Sequence, residues 1–594
     1  MHTIKRKFFL KMSALAMLAP LANGFVLQAA THKNIFFDKD DEILKKMVAA
    51  NDKQAAKLLQ TITEGSIVFS RKIGQDFATL AAAYVTESSL YYHSEQIVPK
   101  LEILTRALAS QQSADGTVNI ANLESPPDTA FLVELLSAAA FILAKDNAAA
   151  LHNTNNAIKI FLQKAGDGLT AGGVHTPNHR WVICAALAKL NALYPHKKYV
   201  DRIEDWLGEG IFMDADGHYP ERSAGIYAGV ENNSLITMAR LLNKPKLFEY
   251  VRKNLEMTYF YMEPNGDIVT NDSRRQDQFM TKSIVTYYYF SYRYMAIKDG
   301  NKKFAAITKQ MENMKSFEED VLNKGLFYFL EDTLLQQPLQ QPLLLSDNYE
   351  KLFTTSKLLR IRRGTTTATL FGGVDWPLVI ASGRSCSPNF FSYCKGNAIL
   401  KYMRLSTSFF GLGYFYSDGL KKEGNKYVLY KKLTAPYYQP LPKNLRNNTG
   451  DYKLVPSTDG RFWNKMDFEN RPVSNVKTQD TSISFIETNG AVELNIAVKG
   501  LTGVPVTIEL CFAEGGKLTG VTAPENGNSF LEKGFGEYEM GGDVIRFGPG
   551  AMKHKKITDL EGERYSTHFG SLRTEGMHIF ITGVTPFNHT LTFS

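Results

Sequence analysis

The sequence predicts an α+β, multidomain chain: an N-terminal (α/α) toroid, or barrel of paired helices, followed by a C-terminal antiparallel β-sandwich. Three observations predict it. From about residue 40 to residue 331, apolar residues recur at three- and four-residue spacing, as in Val182-Ile183-Cys184-Ala185-Ala186-Leu187-Ala188-Lys189-Leu190, with short Gly, Pro or Asn breaks between segments. After Gln336-Gln337-Pro338-Leu339-Gln340-Gln341-Pro342 the apolar period becomes two, as in residues 366–371 and 492–498. A run of helices followed by a run of strands argues for segregated layers rather than interleaved parallel βαβ units.

Taken in chain order, residues 1–30 read as a signal peptide, 31–335 as the helical toroid, 336–345 as a linker and 346–594 as the β-sandwich. Lys5-Arg6-Lys7 precedes an apolar run from Phe8 to about Leu27, with small residues at Ala22-Asn23-Gly24 and Ala29-Ala30 suited to cleavage. An exported protein, periplasmic or secreted, is expected, with no membrane insertion once the signal is removed, because no later apolar stretch reads as long enough to span a bilayer. The helical text is long enough for about ten to twelve helices. An open solenoid is the alternative for this half, but the text carries no fixed repeat of the usual kind.

Composition narrows the function. The formal charge of +8 includes Lys5, Arg6, Lys7 and Lys11, and no acid precedes residue 30, so the processed chain carries about +4. That mild excess suits an acidic ligand and does not signal nucleic acid, which needs a clustered basic face. Cys184, Cys386, Cys394 and Cys511 have no metal spacing, although Cys386 and Cys394 are near enough in sequence for a disulfide in an oxidising compartment. Phosphate-binding glycine loops, zincin motifs and nucleophile elbows are absent from the sequence, so no cofactor and no metal is called, and a carboxylate-bound calcium stays open.

The chemistry-bearing residues fall at helix starts. Thr176-Pro177 predicts a helix start with threonine as N-cap, which puts Asn178 and His179 in the first turn, where unpaired N–H groups and the helix dipole favour an anion. The Asn178 amide and Arg180 guanidinium are suited to a carboxylate there; the plain alternative has Asn178 capping, His179 packing and Trp181 in the core. A second cluster, Asp216-Gly217-His218-Tyr219-Pro220-Glu221-Arg222-Ser223, leads into a helix expected near Gly225, so that Tyr227 lies at its positive end and is a candidate general base. With 28 tyrosines in the chain, packing is the ordinary use of any one of them, and it is the company of Tyr227 that singles it out. A third cluster, Asn271-Asp272-Ser273-Arg274-Arg275, follows a turn at Pro264-Asn265-Gly266-Asp267. Its arginines suit bidentate carboxylate binding or, equally, a solvated ion-pair cluster with Asp272 and Asp277. Amide, imidazole, guanidinium and phenol together are the groups a uronate β-elimination requires.

The 216–223 segment with Tyr227 resembles the catalytic-tyrosine segment of heparinase II/III-like polysaccharide lyases, which join a helical toroid to an antiparallel β-sandwich. That resemblance implies Tyr227 as catalytic base and Asn178 as the amide that neutralises the uronate carboxylate. One departure matters: such enzymes usually carry a histidine-rich strand motif early in the β-domain, and the corresponding stretch 385–394 has no histidine. The acid must then be His175, His179 or Tyr227 itself. The whole pattern, including Thr176-Pro177-Asn178-His179-Arg180-Trp181, also looks like the exo-lyases that remove L-rhamnose from D-glucuronic acid on arabinogalactan. On this reading Tyr227, His179 and Asn178 are catalytic, while Arg180, His175, Glu221, Arg222, Arg274, Arg275 and Asn271 hold a uronic-acid-containing glycan.

Two other classes remain open. Glu221 with Asp128 or Asp272 would make a glycoside hydrolase on the same toroid. Aromatic residues and arginines alone would make a non-catalytic glycan-binding protein.

Overall fold

The structure is a computed structural model that describes residues 42–373, 387–456, 463–525, 527–557 and 574–594. The expected signal peptide and Cys386, one end of the expected disulfide, lie outside the described residues.

Twelve α-helices precede the first strand among the described residues: α1 (Glu42–Thr61), α2 (Lys72–Val85), α3 (Ile97–Gln111), α4 (Pro126–Leu143), α5 (His152–Ala171), α6 (Pro177–Leu193), α7 (Lys197–Gly208), α8 (Tyr227–Leu241), α9 (Leu247–Tyr261), α10 (Ile284–Asp299), α11 (Lys302–Glu312) and α12 (Leu326–Glu331). Helices α2, α4, α6, α8 and α10 pack each against the next, and α3, α5, α7, α9 and α11 pack against this row. Sequence explains the division. Helix α4 is apolar almost all round, from Phe131 to Leu143, and is buried between α2 and α6, whereas α7 turns Tyr199 and Ile203 inward and its charged residues to solvent. Contrary to the sequence reading, α4 has the length and composition of a membrane span, but most of it is packed inside the helical core.

Caps fix where these helices begin. Ser125 Oγ accepts from Asp128 N at 3.2 Å with Pro126 at the first helical position, and Asn301 Oδ1 accepts from Lys303 N and Phe304 N. The starts of α4, α6 and α8 lie at one end of the row. At the other end Lys189, buried near the C-terminus of α6, pairs with Glu331 at 3.0 Å, and Arg240 of α8 reaches Glu331 and Asp332 at 3.5 and 3.1 Å.

Among the described residues the strands form two eight-stranded sheets and a separate two-stranded one, Val455–Pro456 with Trp463–Asn464. In spatial order the first comprises Asn348–Phe353, Leu358–Arg363, Thr366–Phe371, Phe391–Lys395, Ala398–Thr407, Pro505–Phe512, Met577–Val584 and Asn528–Phe530. The second comprises Lys517–Thr519, Gly536–Met540, Asp543–Gly548, Phe587–Phe593, Ala491–Gly500, Val473–Thr488, Lys426–Tyr438 and Leu420–Glu423. Pairing is antiparallel except between Asn528–Phe530 and Met577–Val584, which run parallel. Alternation is clean in the second sheet: Val492, Leu494, Ile496 and Val498 are buried while Glu493 faces water. These residues share one apolar cluster with Leu405 and Ile508 of the first sheet.

The first sheet also meets the helices, so its strands are apolar on both faces. Phe353, Leu358 and Phe371 belong to the helical core cluster. Arg360, fully buried, donates to Phe260 O and Glu263 Oε1, each at 2.9 Å. Asp216 Oδ2 accepts from Thr355 N and Ser356 N at 2.8 and 3.0 Å. Residues Ile43–Ser594 accordingly form one compact unit.

Candidate active site

Asn178 is buried in the first turn of α6. Its Nδ2 donates to Glu221 Oε2 at 2.7 Å and to Thr176 Oγ1 at 3.3 Å, while Oδ1 has no partner. Thr176 therefore accepts from an asparagine and does not cap the helix as the sequence suggested. Because both amide hydrogens are used within the protein, the buried atom Asn178 offers to a ligand is its carbonyl oxygen, an acceptor and not the expected donor.

Glu221 is the centre of the cluster. It is 5% exposed, takes the Asn178 amide on one oxygen and the Arg275 Nη1 on the other, and so ties the 177–180 turn to the 271–275 loop. Burial raises its carboxyl above the ordinary glutamate value, opposed by the Arg275 charge and the Asn178 hydrogen bond. Arg275 then lies with Cζ 4.5 Å from the ring centroid of Tyr227, a cation–π contact.

Tyr227 is the first residue of α8, two positions later than the sequence suggested. Its own N–H is taken by Ser223 Oγ at 3.1 Å, which makes Ser223 the effective cap. Asp277, fully buried, accepts from Ser223 Oγ and from Gly225 N, both at 3.0 Å, and from Ser273 Oγ, so one carboxylate pins the two loops that present Tyr227 and Arg275. A Cβ on Gly225 would stand 2.9 Å from Asp277 Oδ2, so glycine permits this approach.

His179 and His175 lie on the α4 side of the cluster, with ring centroids 4.8 Å apart and the His179 ring edge-on to Phe131 at 6.3 Å. Burial, then the His175 and Arg275 charges, push the His179 imidazole down to about 4, so it is neutral at neutral pH. Its Nδ1 is buried without a partner. Asp128 at the start of α4 is buried and pairs with Arg71. Burial would raise its carboxyl, but hydrogen bonds from Arg71, Ser125 and Asn122 outweigh this and hold it below the ordinary aspartate value.

Several expected ligand residues are turned elsewhere. Arg180 pairs with Glu209 at 2.9 Å and lies over Trp181. Arg274 donates to Pro220 O at 2.8 Å, and Asn271 Nδ2 to Asn389 O at 2.9 Å, which joins the loop to the first sheet. Arg222, with φ +47°, reaches Asp214 at 3.6 Å. The solvated cluster envisaged around Asp272 and Asp277 is instead interior: both are buried. Asp272 accepts from Tyr261 Oη at 2.7 Å, whose oxygen meets His218 Nε2 at 2.9 Å. Burial, ahead of other influences, raises Asp272 to about 7 and lowers His218 to about 3. The histidine is thus neutral, and its 3.5 Å approach to Asp272 is not an ion pair.

Two residues gain places here that the sequence did not signal, Arg71 and Glu231, and Tyr287, one of a run of tyrosines in the sequence, joins them. Arg71 lies over Phe131, beside His179. Tyr287 packs on Gly229 of α8, while its neighbours Tyr288, Tyr289 and Tyr292 are buried in the helical core. Glu231, one turn below Tyr227, is fully buried with neither oxygen paired. Burial and then Glu221 push its carboxyl well above the usual range, favouring the neutral acid. Among the described residues, no three His, Cys, Asp or Glu side chains group as a metal site would require.

The chain shares the fold of heparinase III. A crystal structure of that protein matches with a TM-score of 0.54 at 11% identity, over 92% of this chain and 84% of the other. The chondroitin AC lyase of Streptomyces coelicolor A3, solved with chondroitin sulphate, matches at 0.53 and 13%, over 93% of this chain and 80% of the other. At such identities the likeness is one of fold. No family model matches the chain, and no curated protein does.

Proposed function

We propose that this protein is a polysaccharide lyase that cleaves a 4-linked uronic acid by β-elimination, with Tyr227 as the base. One observation carries the reading: Asn178, Glu221, Arg275 and Tyr227 form a continuous contact chain across two helix starts, with Tyr227 only partly buried. The fold supports it, since heparinase III and chondroitin AC lyase share it. We further read the α2–α10 row, with α12 packed on α2 and α4, as a closed toroid and the two sheets as a sandwich. The N-terminal segment is read as a signal for export.

In this mechanism the uronate lies with its carboxylate toward Arg275 and the first-turn amides of α6, which stabilise the enolate-like charge that develops when C5 loses its proton. Asn178 Oδ1 accepts a hydrogen bond from a sugar hydroxyl, and neutral His179 offers a second polar contact. Entering as the phenolate, Tyr227 Oη takes the C5 proton; the C5–H electron pair forms the C4=C5 bond as the C4–O bond breaks and its electron pair leaves on the oxygen. In a glucuronate that proton and the leaving oxygen lie on one face, so the same phenol returns the proton to the departing sugar. The preferred substrate is the L-rhamnose-α-1,4-D-glucuronic acid cap of arabinogalactan.

A hydrolase is less well supported by the carboxylates. Asp128 is ion-paired and held low, Asp272 is enclosed, and Glu221 is bound on both oxygens, so no open acid–base pair flanks a water site. The deciding experiment offers purified protein rhamnose-capped arabinogalactan, heparan-type chains and pectic fragments. Products with a conjugated double bond support the proposal. New reducing ends without unsaturation would replace it with a hydrolase, and binding without product would leave a glycan-binding protein.

A further inference from the structure

The strands Lys426–Tyr438 and Val473–Thr488 pair well beyond the sheet core, from Leu433–Gln479 out to Tyr438–Val473, and with the described residues 439–456 and 463–472 between them they form an arm. Of the described residues from 431 to 478, only Leu441 is buried. A segment so poor in core should be polar throughout, yet Tyr437 is 51% exposed and Trp463 55%, and Leu454, Val473 and Val476 are also exposed. Tyr438 packs against Phe468, the rings tilted by 31° with centroids 4.5 Å apart, and Tyr437 meets Phe410 at the base of the arm at 5.9 Å. The described residues of this stretch carry eight lysines and arginines against three acids, a net +5 where the whole chain has +8. Lys432, Lys443 and Lys453 are exposed.

We propose that this arm is a second glycan-binding surface, separate from the Tyr227 site, that holds an anionic polysaccharide. Flat, rigid Tyr and Trp rings present large contact area at low entropic cost and suit the apolar faces of sugar rings. The excess of cations in the same stretch selects carboxylated or sulfated chains over neutral ones and raises the encounter rate. Two sites on one chain make capture at the arm raise the local concentration of polymer at the other. This rests on the uronate-glycan reading of the active site, but its test does not need catalysis.

The probe is native affinity electrophoresis in gels containing heparin, chondroitin sulfate or uncharged dextran. Full-length Tyr227→Phe protein, which leaves the glycan intact, is compared with the same protein also carrying Tyr437→Ala and Trp463→Ala, or Lys432→Gln, Lys443→Gln and Lys453→Gln. The arm predicts retardation by the anionic gels but not by dextran. It also predicts binding about tenfold weaker in the aromatic variant, and a weaker salt dependence in the lysine variant. With Tyr227 restored, the aromatic changes raise KM for polymer and leave turnover of short oligosaccharides as it was. Equal retardation of all three proteins, no retardation, or retardation in dextran overturns the proposal. So does a parent that is a dimer by size exclusion and a variant that is a monomer, which would make the arm an interface between copies. Retardation without any unsaturated product from wild type would keep the arm and remove the lyase.

Discussion

Glu221→Gln tests the assembly of the active site at its centre. Glutamine has nearly the same shape, but it has one acceptor oxygen where Glu221 uses two. Its amide must therefore face a donor, either Asn178 Nδ2 or Arg275 Nη1. A hydrogen bond to a charged group contributes about 1.5–3 kcal/mol. The Arg275 side chain is 20% exposed, so solvent recovers part of its cost and the lower end, about 1.5–2 kcal/mol, is the expected loss of stability. The catalytic loss is larger, because Arg275 is no longer held over Tyr227. Losing one preorganised electrostatic group costs about 10²–10³ in kcat. Initial rates of ultraviolet absorbance from the unsaturated product, at saturating and limiting glycan, should show kcat falling by that factor with a smaller change in KM, while circular dichroism stays unchanged. A Glu221→Gln protein with wild-type kcat would refute the idea that this carboxylate organises the chemistry.

Other consequences follow from buried groups. Asp272 is raised to about 7 and His218 lowered to about 3, so between roughly pH 4 and 6.5 the folded state gains a proton on the first and forgoes one on the second, and their pH dependences oppose. Asp272→Asn removes the aspartate's contribution and should make stability fall with decreasing pH below about 6.5, by up to about 1.4 kcal/mol per unit. Denaturant melts at several pH values that show no new slope would contradict this. Because the His179 imidazole titrates near about 4, the acid limb of kcat/KM that it imposes should lie there and vanish in His179→Gln; a limb at the ordinary histidine value would exclude it. Gly229→Ala places a Cβ 2.6 Å from Tyr287 Cβ and 2.9 Å from Tyr287 O, pushing α10 from α8. It should cost about 1–3 kcal/mol in a urea melt and reduce activity, and a neutral outcome would mean that this helix contact is loose.

The two-part organisation was legible because its signal is periodic: the change from three- and four-residue spacing to alternation survives any local irregularity. Positions 366–371 form one strand, and 492–498 lie within another. The start of α6 was legible for a similarly local reason, through Thr176-Pro177. What the sequence could not convey was pairing across distance. Glu221 joins Arg275 from 54 residues away and Asn178 from 43, and nothing in either neighbourhood marks the partner. Arg180 and Arg275 look alike as charges beside candidate residues. Only packing turns one toward Glu209 on the surface and the other over Tyr227. Asp272 and Asp277, acids in a polar run, allowed a solvated ion-pair cluster as readily as a ligand site for the arginines beside them, and both are interior.

The most direct measurement compares Tyr227→Phe with wild type on a 4-linked glucuronate glycan, following the conjugated double bond and glycan binding together. The account predicts that elimination falls by at least about 10²-fold while binding remains within a few-fold, since only the phenolic oxygen is removed. Elimination at an undiminished rate by Tyr227→Phe would contradict it.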